Sequence, residues 1–234
     1  MVRYSVPAVI VATACSGSDN IVHGLQTFTQ LLFKTRGVEQ LDLRHVFACE
    51  SDESRRSYIM TAFAALPTVF CDVGILGEGE AVNAASTNLS LAAVERVALF
   101  IAGFSCKDVS SMNPCSSSNR NIVSSKSKQT GSTWEGCRSY LVRHQPLMAL
   151  FENVSNLAAG GNLDAVLGDI RNAGYSGLVY KCSPEKFGIP QTRDRLYILV
   201  SLLMTVDALL EATKFADRIA SSKHLVLRDC DKSR

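Results

Sequence analysis

The chain lacks any hydrophobic run long enough to cross a lipid bilayer. Its longest apolar segments, around residues 6–14, 97–102 and 198–204, fall well short of the roughly 20 residues that a transmembrane helix needs. The apolar stretch at the amino terminus is brief and has no convincing cleavage site, so we expect no secretory signal. The sequence therefore predicts an intracellular protein without a membrane anchor, and it leaves open the nucleus, if the organism is a eukaryote, and the cytoplasm, if it is a bacterium.

Two further signals are missing, a strong charge bias and a metal-binding cysteine pattern. The formal net charge is only +2, which is too small to indicate a nucleic-acid-binding protein by itself. The eight cysteines are scattered, with no CxxC pair and no paired Cys/His spacing. Because a chain of 234 residues with 47% hydrophobic residues can form a core, this scatter favours reduced thiols over disulfides or a zinc site.

What the sequence does have is an alternation of predicted strands and helices. Helical spacing of apolar residues follows the first strand, extends from Asp52 to Phe63, and returns at residues 163–170, where Gly174 is placed to end the helix. A last amphipathic helix begins near Val206. This alternation predicts an α/β fold with a doubly wound, mostly parallel sheet. The strands are predicted from apolar, often β-branched runs at 6–12, 46–49, 97–102, 147–151 and 196–201.

Small and polar residues follow these strands. In a doubly wound sheet, the ligand crevice lies beyond the carboxyl ends of the strands. We therefore expect the residues at those ends to converge on one site. They are Ser16, Gly17, Ser18, Glu50, Asp72, Cys106 and Glu152.

Residues 110–132 interrupt the alternation. The segment is rich in Ser and Asn, has almost no apolar residue, and carries Arg120, Lys126 and Lys128. A loop of this length in a compact domain is usually a functional lid or disordered. We expect a mobile loop, although a plain solvated insertion explains the composition equally well.

Three segments carry side chains suited to chemistry. Cys106 follows a strand, and a thiol on such a turn can act as a nucleophile, whereas a thiol inside the strand would belong to the core. Glu152 follows the next strand. Arg193 and Arg195 alternate at the start of the last strand, which places both guanidinium groups on one face. Taken singly, each has an ordinary structural explanation, such as a core thiol, a solvated acid or a salt-bridged edge strand.

Taken in order, these segments resemble the signature of the DNA (cytosine-5-)-methyltransferase family. That family has a nucleophile loop similar to residues 103–110, a Glu-Asn-Val motif matched at 152–154, and a Gln-x-Arg-x-Arg motif matched at 191–195. The run Gly131-Ser132-Thr133-Trp134 also matches a small-residue motif of the family. The resemblance covers roughly residues 6–201 and implies a Rossmann-like methyltransferase fold that uses S-adenosylmethionine.

The resemblance also implies a mechanism on a cytosine flipped out of duplex DNA. The Cys106 thiolate would add to carbon 6 and make carbon 5 nucleophilic. Glu152 would donate to ring nitrogen 3. Arg193 would orient the base, and Arg195 would have a structural or shared role. Cations of the 110–132 loop would contact DNA phosphates.

For the methyl donor, the resemblance implies that the small residues Ser16, Gly17 and Ser18 let the backbone approach S-adenosylmethionine. Glu50 would accept hydrogen bonds from the ribose hydroxyls, and Asp72 would contact the adenine. Each of these acids, considered alone, is more simply explained as a solvated surface charge.

Several positions depart from the family pattern. Ser105 and Lys107 replace the usual proline and glutamine on either side of the nucleophile. Asp19 replaces a common second glycine, and we expect its charge to lie near the methionine part of the donor. Cys115, in a Pro-Cys-Ser-Ser-Ser string, is a rival nucleophile, but it lies well beyond the strand end.

The carboxyl-terminal part departs more strongly. Family members continue into a target-recognition region and a returning helix, whereas one helix and a tail are predicted after residue 201, and nothing before residue 6 would supply the missing parts. We expect a methyltransferase core at 1–202 and a helix with a tail at 203–234, without an evident target-recognition domain. The chain is then a fragment, a protein completed by a partner, or a minimal or degenerate family member. Three activities stay open: a DNA methyltransferase, an RNA methyltransferase of the same fold, or a methyltransferase-like adaptor that is catalytically incompetent or completed by a protein partner.

Overall fold

The computed structural model contains the predicted alternation of strands and helices. It describes residues 8–36, 41–86, 90–115, 120–126 and 128–230. The strands are β1 (Val9–Ala14), β2 (Leu43–Cys49), β3 (Thr68–Phe70), β4 (Glu80–Val82), β5 (Leu91–Ala93), β6 (Leu99–Ala102), β7 (Met148–Val154), β8 (Ser176–Cys182) and β9 (Arg195–Ser201). The helices are α1 (Asn20–Arg36), α2 (Glu53–Ala62), α3 (Ile122–Ser125), α4 (Lys128–His144), α5 (Asn162–Asn172) and α6 (Val206–Cys230).

The chain forms two compact units, and each is built from two separate stretches of sequence. The first contains Met1–Phe104 and Ser132–Ala149, and the second contains Ser105–Gly131 and Leu150–Arg234. The predicted boundary at residue 202 is a different kind of division, and it stays a prediction. The start of the first predicted strand, residues 116–119 and 127 of the predicted loop, and the tail at 231–234 lie outside the described residues.

The first unit is built on a parallel sheet with the strand order β3-β2-β1-β6. Aromatic side chains pack together in its core. The ring centroid of Tyr140 in α4 lies 4.3 Å from that of Phe100 and 5.8 Å from that of Phe47. Hydrogen bonds continue past the strand ends, from the Cys15 amide to the Cys49 carbonyl at 2.7 Å and from the Glu50 amide to the Phe70 carbonyl at 3.0 Å. These bonds place the turns that follow β1, β2 and β3 side by side.

The second unit is built on the strand order β7-β9-β8, in which β8 and β9 are antiparallel. Helix α5 buries Val166 and Ile170, as its predicted apolar stripe requires. Its cap is Ala173, and Gly174 follows at a φ of +89°, a left-handed conformation that favours glycine. Among the described residues, no helix combines the length and apolar character that a membrane crossing requires.

Some predicted elements differ from the observed ones. Strand β8 and the β4–β5 hairpin were not predicted, and β7 continues through Val154, so that Glu152 lies inside a strand rather than after one. The predicted loop at 110–132 is shorter than expected, because α3 and the start of α4 occupy its second half. Ile122 and Val123 are the reason, since both side chains are buried.

Candidate active site

The first unit has a cavity of about 540 Å³ at the carboxyl end of β1. Gly17 has a φ of +71°, and a β-carbon placed there would meet no atom of the described residues within 4 Å, so backbone conformation rather than crowding selects glycine. All three small residues predicted to bind the donor line this cavity. The lining consists of Cys15, Ser16, Gly17, Ser18, Ser54, Arg55 and Tyr58.

Glu50 connects the turn after β1 to the start of α2. Its side chain is only 4% exposed. One carboxylate oxygen accepts from the Gly17 amide at 3.0 Å, and the other accepts from the Asp52 amide at 3.1 Å. Each oxygen keeps a second lone pair for a ligand hydroxyl. Glu50 therefore fixes the shape of the cavity wall, a function that the sequence did not predict.

Asp72 is exposed and caps a short 3-10 turn at Val73–Ile75 by accepting from the Gly74 amide at 2.8 Å. Burial raises the pKa of the Cys15 thiol to about 12, and the negative charges of Glu50 and Asp72 add to this effect. Two conclusions follow. The two carboxylates lie near Cys15, as predicted for this part of the site, and Cys15 is a protonated thiol rather than a nucleophile.

Asp19 has an environment that differs from the expected one. Its side chain is fully buried at the start of α1 instead of facing the donor cavity, and its φ of +54° explains why glycine suits this position. The Ser16 hydroxyl donates to one carboxylate oxygen, and the other has no hydrogen-bond partner within the described part of the chain. The negative charge of Asp19 acts on His45, whose Nε2 lies 3.2 Å from the Thr13 hydroxyl.

The stability of the protein is expected to fall in mild acid because of His45. Burial lowers the pKa of His45, although the charge of Asp19 opposes this effect. The unfolded chain, with a histidine pKa of about 6.5, then binds a proton that the folded chain resists, so stability decreases as the pH falls below that value. Between pH 7.5 and pH 5.5, the unfolding temperature should decrease less for His45→Gln than for the wild type.

A matched control for this measurement is His23→Gln, which removes an exposed histidine next to the same Phe63 ring. The pKa of His144 is also lowered by burial. Because His144 remains in both variants, their unfolding temperatures should still decrease somewhat at pH 5.5. A decrease in unfolding temperature that is as large in His45→Gln as in the wild type would contradict the prediction.

In the second unit, the half-buried Cys106 begins a tight turn. Its carbonyl accepts from the Val109 amide at 3.1 Å and from the Ser110 amide at 2.8 Å. The neighbouring Ser105 hydroxyl accepts from the Lys107 amide at 3.3 Å, and the Lys107 side chain is exposed. The backbone on both sides of the candidate nucleophile is therefore defined by local hydrogen bonds.

Three residues that the sequence did not single out also hold this turn. Asp108 and Thr130 exchange two hydrogen bonds, and the Asn156 amide group donates to the Val109 carbonyl at 2.6 Å. Asn156 lies two residues after the Glu-Asn-Val motif. Only this proximity could have indicated a role, because the Asp108–Thr130 pair has no short-range sequence signal.

Glu152 pairs with Arg195 rather than with Arg193. The Arg195 Nε lies 2.7 Å from a Glu152 oxygen, and the two side chains are 17% and 39% exposed. Arg193 is exposed and precedes β9. Both arginines line a cavity of about 650 Å³, together with Ser110, Ser111, Met112, Val154, Ser155, Asn156, Thr192 and Asp194.

Cys115, the rival nucleophile, is exposed, and its amide donates to the Asn113 side chain at 2.9 Å. Neither Cys115 nor Cys106 is among the residues that line the cavity with the two arginines. Seven cysteines form no disulfide, namely Cys15, Cys49, Cys71, Cys106, Cys115, Cys137 and Cys182.

Several known proteins are similar to this chain. A DNA (cytosine-5-)-methyltransferase, DMT5, of Cryptococcus neoformans is 29% identical over 191 residues, which are 82% of this chain but 8% of that protein. The structure of the Schizosaccharomyces pombe Dnmt2 methyltransferase has a TM-score of 0.57 at 15% identity, over 86% of this chain and 53% of that one. The Entamoeba histolytica methyltransferase EhMeth has a TM-score of 0.55 at 14% identity, over 85% and 54%.

The chain thus spans about half the length of these solved structures and a small part of the Cryptococcus protein. The structural likeness confirms the predicted methyltransferase fold. The sequence pattern of one family, described as C-5 cytosine-specific DNA methylase, matches residues 23–229. Because the match covers most of the chain, this protein belongs to the C-5 cytosine-specific DNA methylase family.

Proposed function

We propose that the chain transfers a methyl group from S-adenosylmethionine to carbon 5 of a cytosine in DNA, through a covalent adduct on Cys106. The observation that supports this most directly is the ion pair of Glu152 with Arg195 at 2.7 Å. It lies in the same compact unit as the Cys106 turn. A carboxylate fixed by arginine and a thiol on a constrained turn are the groups that this reaction needs.

In the proposed reaction, Cys106, Glu152 and Arg195 each have a different function. The Cys106 sulfur forms a bond to carbon 6 of the flipped base, and the electron pair displaced from the 5,6 double bond makes carbon 5 nucleophilic. Arg195 holds one Glu152 oxygen, and the other oxygen, carrying a proton, donates a hydrogen bond to ring nitrogen 3, which takes up negative charge as the sulfur adds. After methyl transfer, a water molecule accepts the carbon 5 proton, the electron pair of that C–H bond restores the 5,6 double bond, and the sulfur leaves carbon 6 as the thiolate.

The residues of the first-unit cavity fit the methyl donor. Bound S-adenosylmethionine supplies the electrophilic methyl group, and its ribose hydroxyls require acceptors. Glu50 offers such acceptors, while Gly17 allows close backbone approach. A volume of about 540 Å³ lies within the range of small-molecule sites. Ser16 and Ser18 line the same wall, and Asp72 would contact the adenine.

Methyl transfer to two nucleic acids tests the proposed function. Purified chain is incubated with radiolabelled S-adenosylmethionine and either unmethylated duplex DNA or tRNA, and the digested product is analysed for 5-methylcytosine. We expect product from DNA. Product from tRNA alone would favour the RNA enzyme, and absence of both product and donor binding by calorimetry would favour the adaptor.

Replacing Glu50 with glutamine is expected to weaken donor binding about tenfold or more, because a charge-assisted hydrogen bond is worth about 1.5–3 kcal/mol. Calorimetric titration with S-adenosylhomocysteine measures this directly. Glu53→Gln is the matched control, since Glu53 is exposed in the first turn of α2. Equal affinities of the Glu50 variant and the control would contradict a donor role.

We further propose that a protein partner supplies recognition of the sequence around the cytosine and that the protein works inside the cell.

A further inference from the structure

Asp108 and Thr130 form a reciprocal pair next to the candidate nucleophile. The Asp108 amide donates to the Thr130 hydroxyl at 3.2 Å, and the Thr130 amide donates to an Asp108 carboxylate oxygen at 2.7 Å. Thr130 is fully buried. Each residue therefore satisfies a backbone donor of the other, although they are 22 positions apart in the chain.

Thr130 lies in the first turn of α4, where backbone amides have no partner within the helix. Asp108 acts as a cap supplied from another segment, and a carboxylate is favoured there by the helix dipole. A cap normally belongs to the residue that precedes its helix. Here it belongs to the residue two positions after Cys106, so the helix terminus and the nucleophile turn are fixed together.

The same turn has a second anchor on its other side. The buried Val109 is held through its carbonyl by Asn156, which follows β7. Because the Cys106 carbonyl bonds the amides of Val109 and Ser110, displacement of either anchor would shift the turn on which Cys106 lies.

We propose that Asp108 and Thr130 are positioning residues for methyl transfer, holding the Cys106 turn in the geometry that carbon 6 of the base requires. This inference rests on the proposed function. Their hydrogen bonds fix the backbone of the turn that begins at Cys106, so they act on Cys106 through the backbone. A displacement of about 1 Å at a reacting atom can reduce a rate about a hundredfold, which makes such an anchor matter for turnover.

Four variants test the proposal through steady-state methylation of duplex DNA. Thr130→Val removes the hydroxyl acceptor at nearly constant volume, and Asp108→Ala removes the carboxylate. Both are expected to lower kcat about tenfold or more, with the KM for DNA within about twofold of the wild-type value. Thr130→Ser should restore kcat, because it restores the acceptor. Thr213→Val is the matched control, since its buried hydroxyl donates to the Leu210 carbonyl of its own helix.

Any other pattern overturns the proposal, including unchanged kcat in Thr130→Val, an equal loss in Thr213→Val, or no recovery in Thr130→Ser. Thermal unfolding of each variant identifies loss of folded protein, and kcat is expressed per folded molecule. If Asp108 and Thr130 had a purely structural role, the variants would have a lower unfolding temperature but an unchanged kcat per folded molecule.

A second measurement keeps this test separate from that of the proposed function. Alkylation of Cys106 by iodoacetamide, followed by peptide mass spectrometry, needs no methyl transfer. With exposed Cys115 as the internal reference, we expect the ratio of Cys106 to Cys115 labelling to rise severalfold in Thr130→Val and to stay constant in Thr213→Val. A constant ratio in Thr130→Val overturns the anchor, whereas a raised ratio in a chain inactive on DNA supports the anchor and counts against the methyltransferase.

Discussion

Replacing Cys106 with serine is expected to abolish covalent trapping of duplex DNA that contains 5-fluorocytosine. Once a methyl group has been transferred to carbon 5, the fluorine there cannot leave as a proton does, so the wild-type adduct should persist through denaturing electrophoresis. A serine hydroxyl is a far weaker nucleophile than a thiolate. We expect the adduct to disappear and methyl transfer to fall on the order of 10⁴-fold or more.

Cys115→Ser provides the matched control, because it makes the same chemical change at an exposed cysteine nearby in sequence. It should form the adduct at the wild-type rate. If Cys106→Ser still traps DNA while Cys115→Ser does not, the nucleophile is Cys115 and the proposed roles of the two thiols are reversed.

Replacing Glu152 with glutamine is expected to produce the second large effect, a loss of about 10²- to 10⁴-fold in kcat. Glutamine keeps the shape of the side chain but has neither the carboxyl that interacts with ring nitrogen 3 nor the charge that pairs with Arg195. Binding of duplex DNA, measured by fluorescence anisotropy at fixed salt, should change little. An unchanged kcat would remove Glu152 from the mechanism.

The two arginines allow a sharper test of this pair. A double-mutant cycle combines Glu152→Gln with Arg195→Lys, and a second cycle combines it with Arg193→Lys. Since Arg195 contacts Glu152 at 2.7 Å and Arg193 is exposed, we expect clear coupling in the first cycle and additivity in the second. Stronger coupling through Arg193 would restore the role that the sequence suggested for it.

The sequence predicted well those features that local patterns determine. Helix α2 begins after Asp52, as predicted, and the Asp52 side chain accepts from the Arg55 amide at 2.9 Å. The helix ends at Ala62 with Phe63 as its cap, one residue before the predicted end. Its buried Ile59 packs with Ala48 and Val69 of the sheet. Capping residues and apolar spacing lie within a few positions of one another, so a single sequence is enough to identify them.

Other features depend on partners that are distant in the chain. Strand β8 was missed because its side chains are mostly half-buried without clear alternation, and its pairing with β9 is antiparallel. The alternation of Arg193 and Arg195 indicated a shared face but not which guanidinium contacts Glu152. The segment at 122–132 was predicted as a loop from its polar composition, although two buried side chains and the Asn162 side chain, which accepts from the Val123 amide, hold α3.

The hydrogen bonds that Glu50 accepts from two backbone amides have a thermodynamic consequence for the binding of a small ligand. Since Gly17 and Asp52 are already tied by this one carboxylate, the wall of the cavity is preorganised and little conformational entropy is lost when a ligand arrives. Titrations at several temperatures should then give a heat-capacity change that reflects the ligand's buried apolar area, without the larger contribution that accompanies coupled folding.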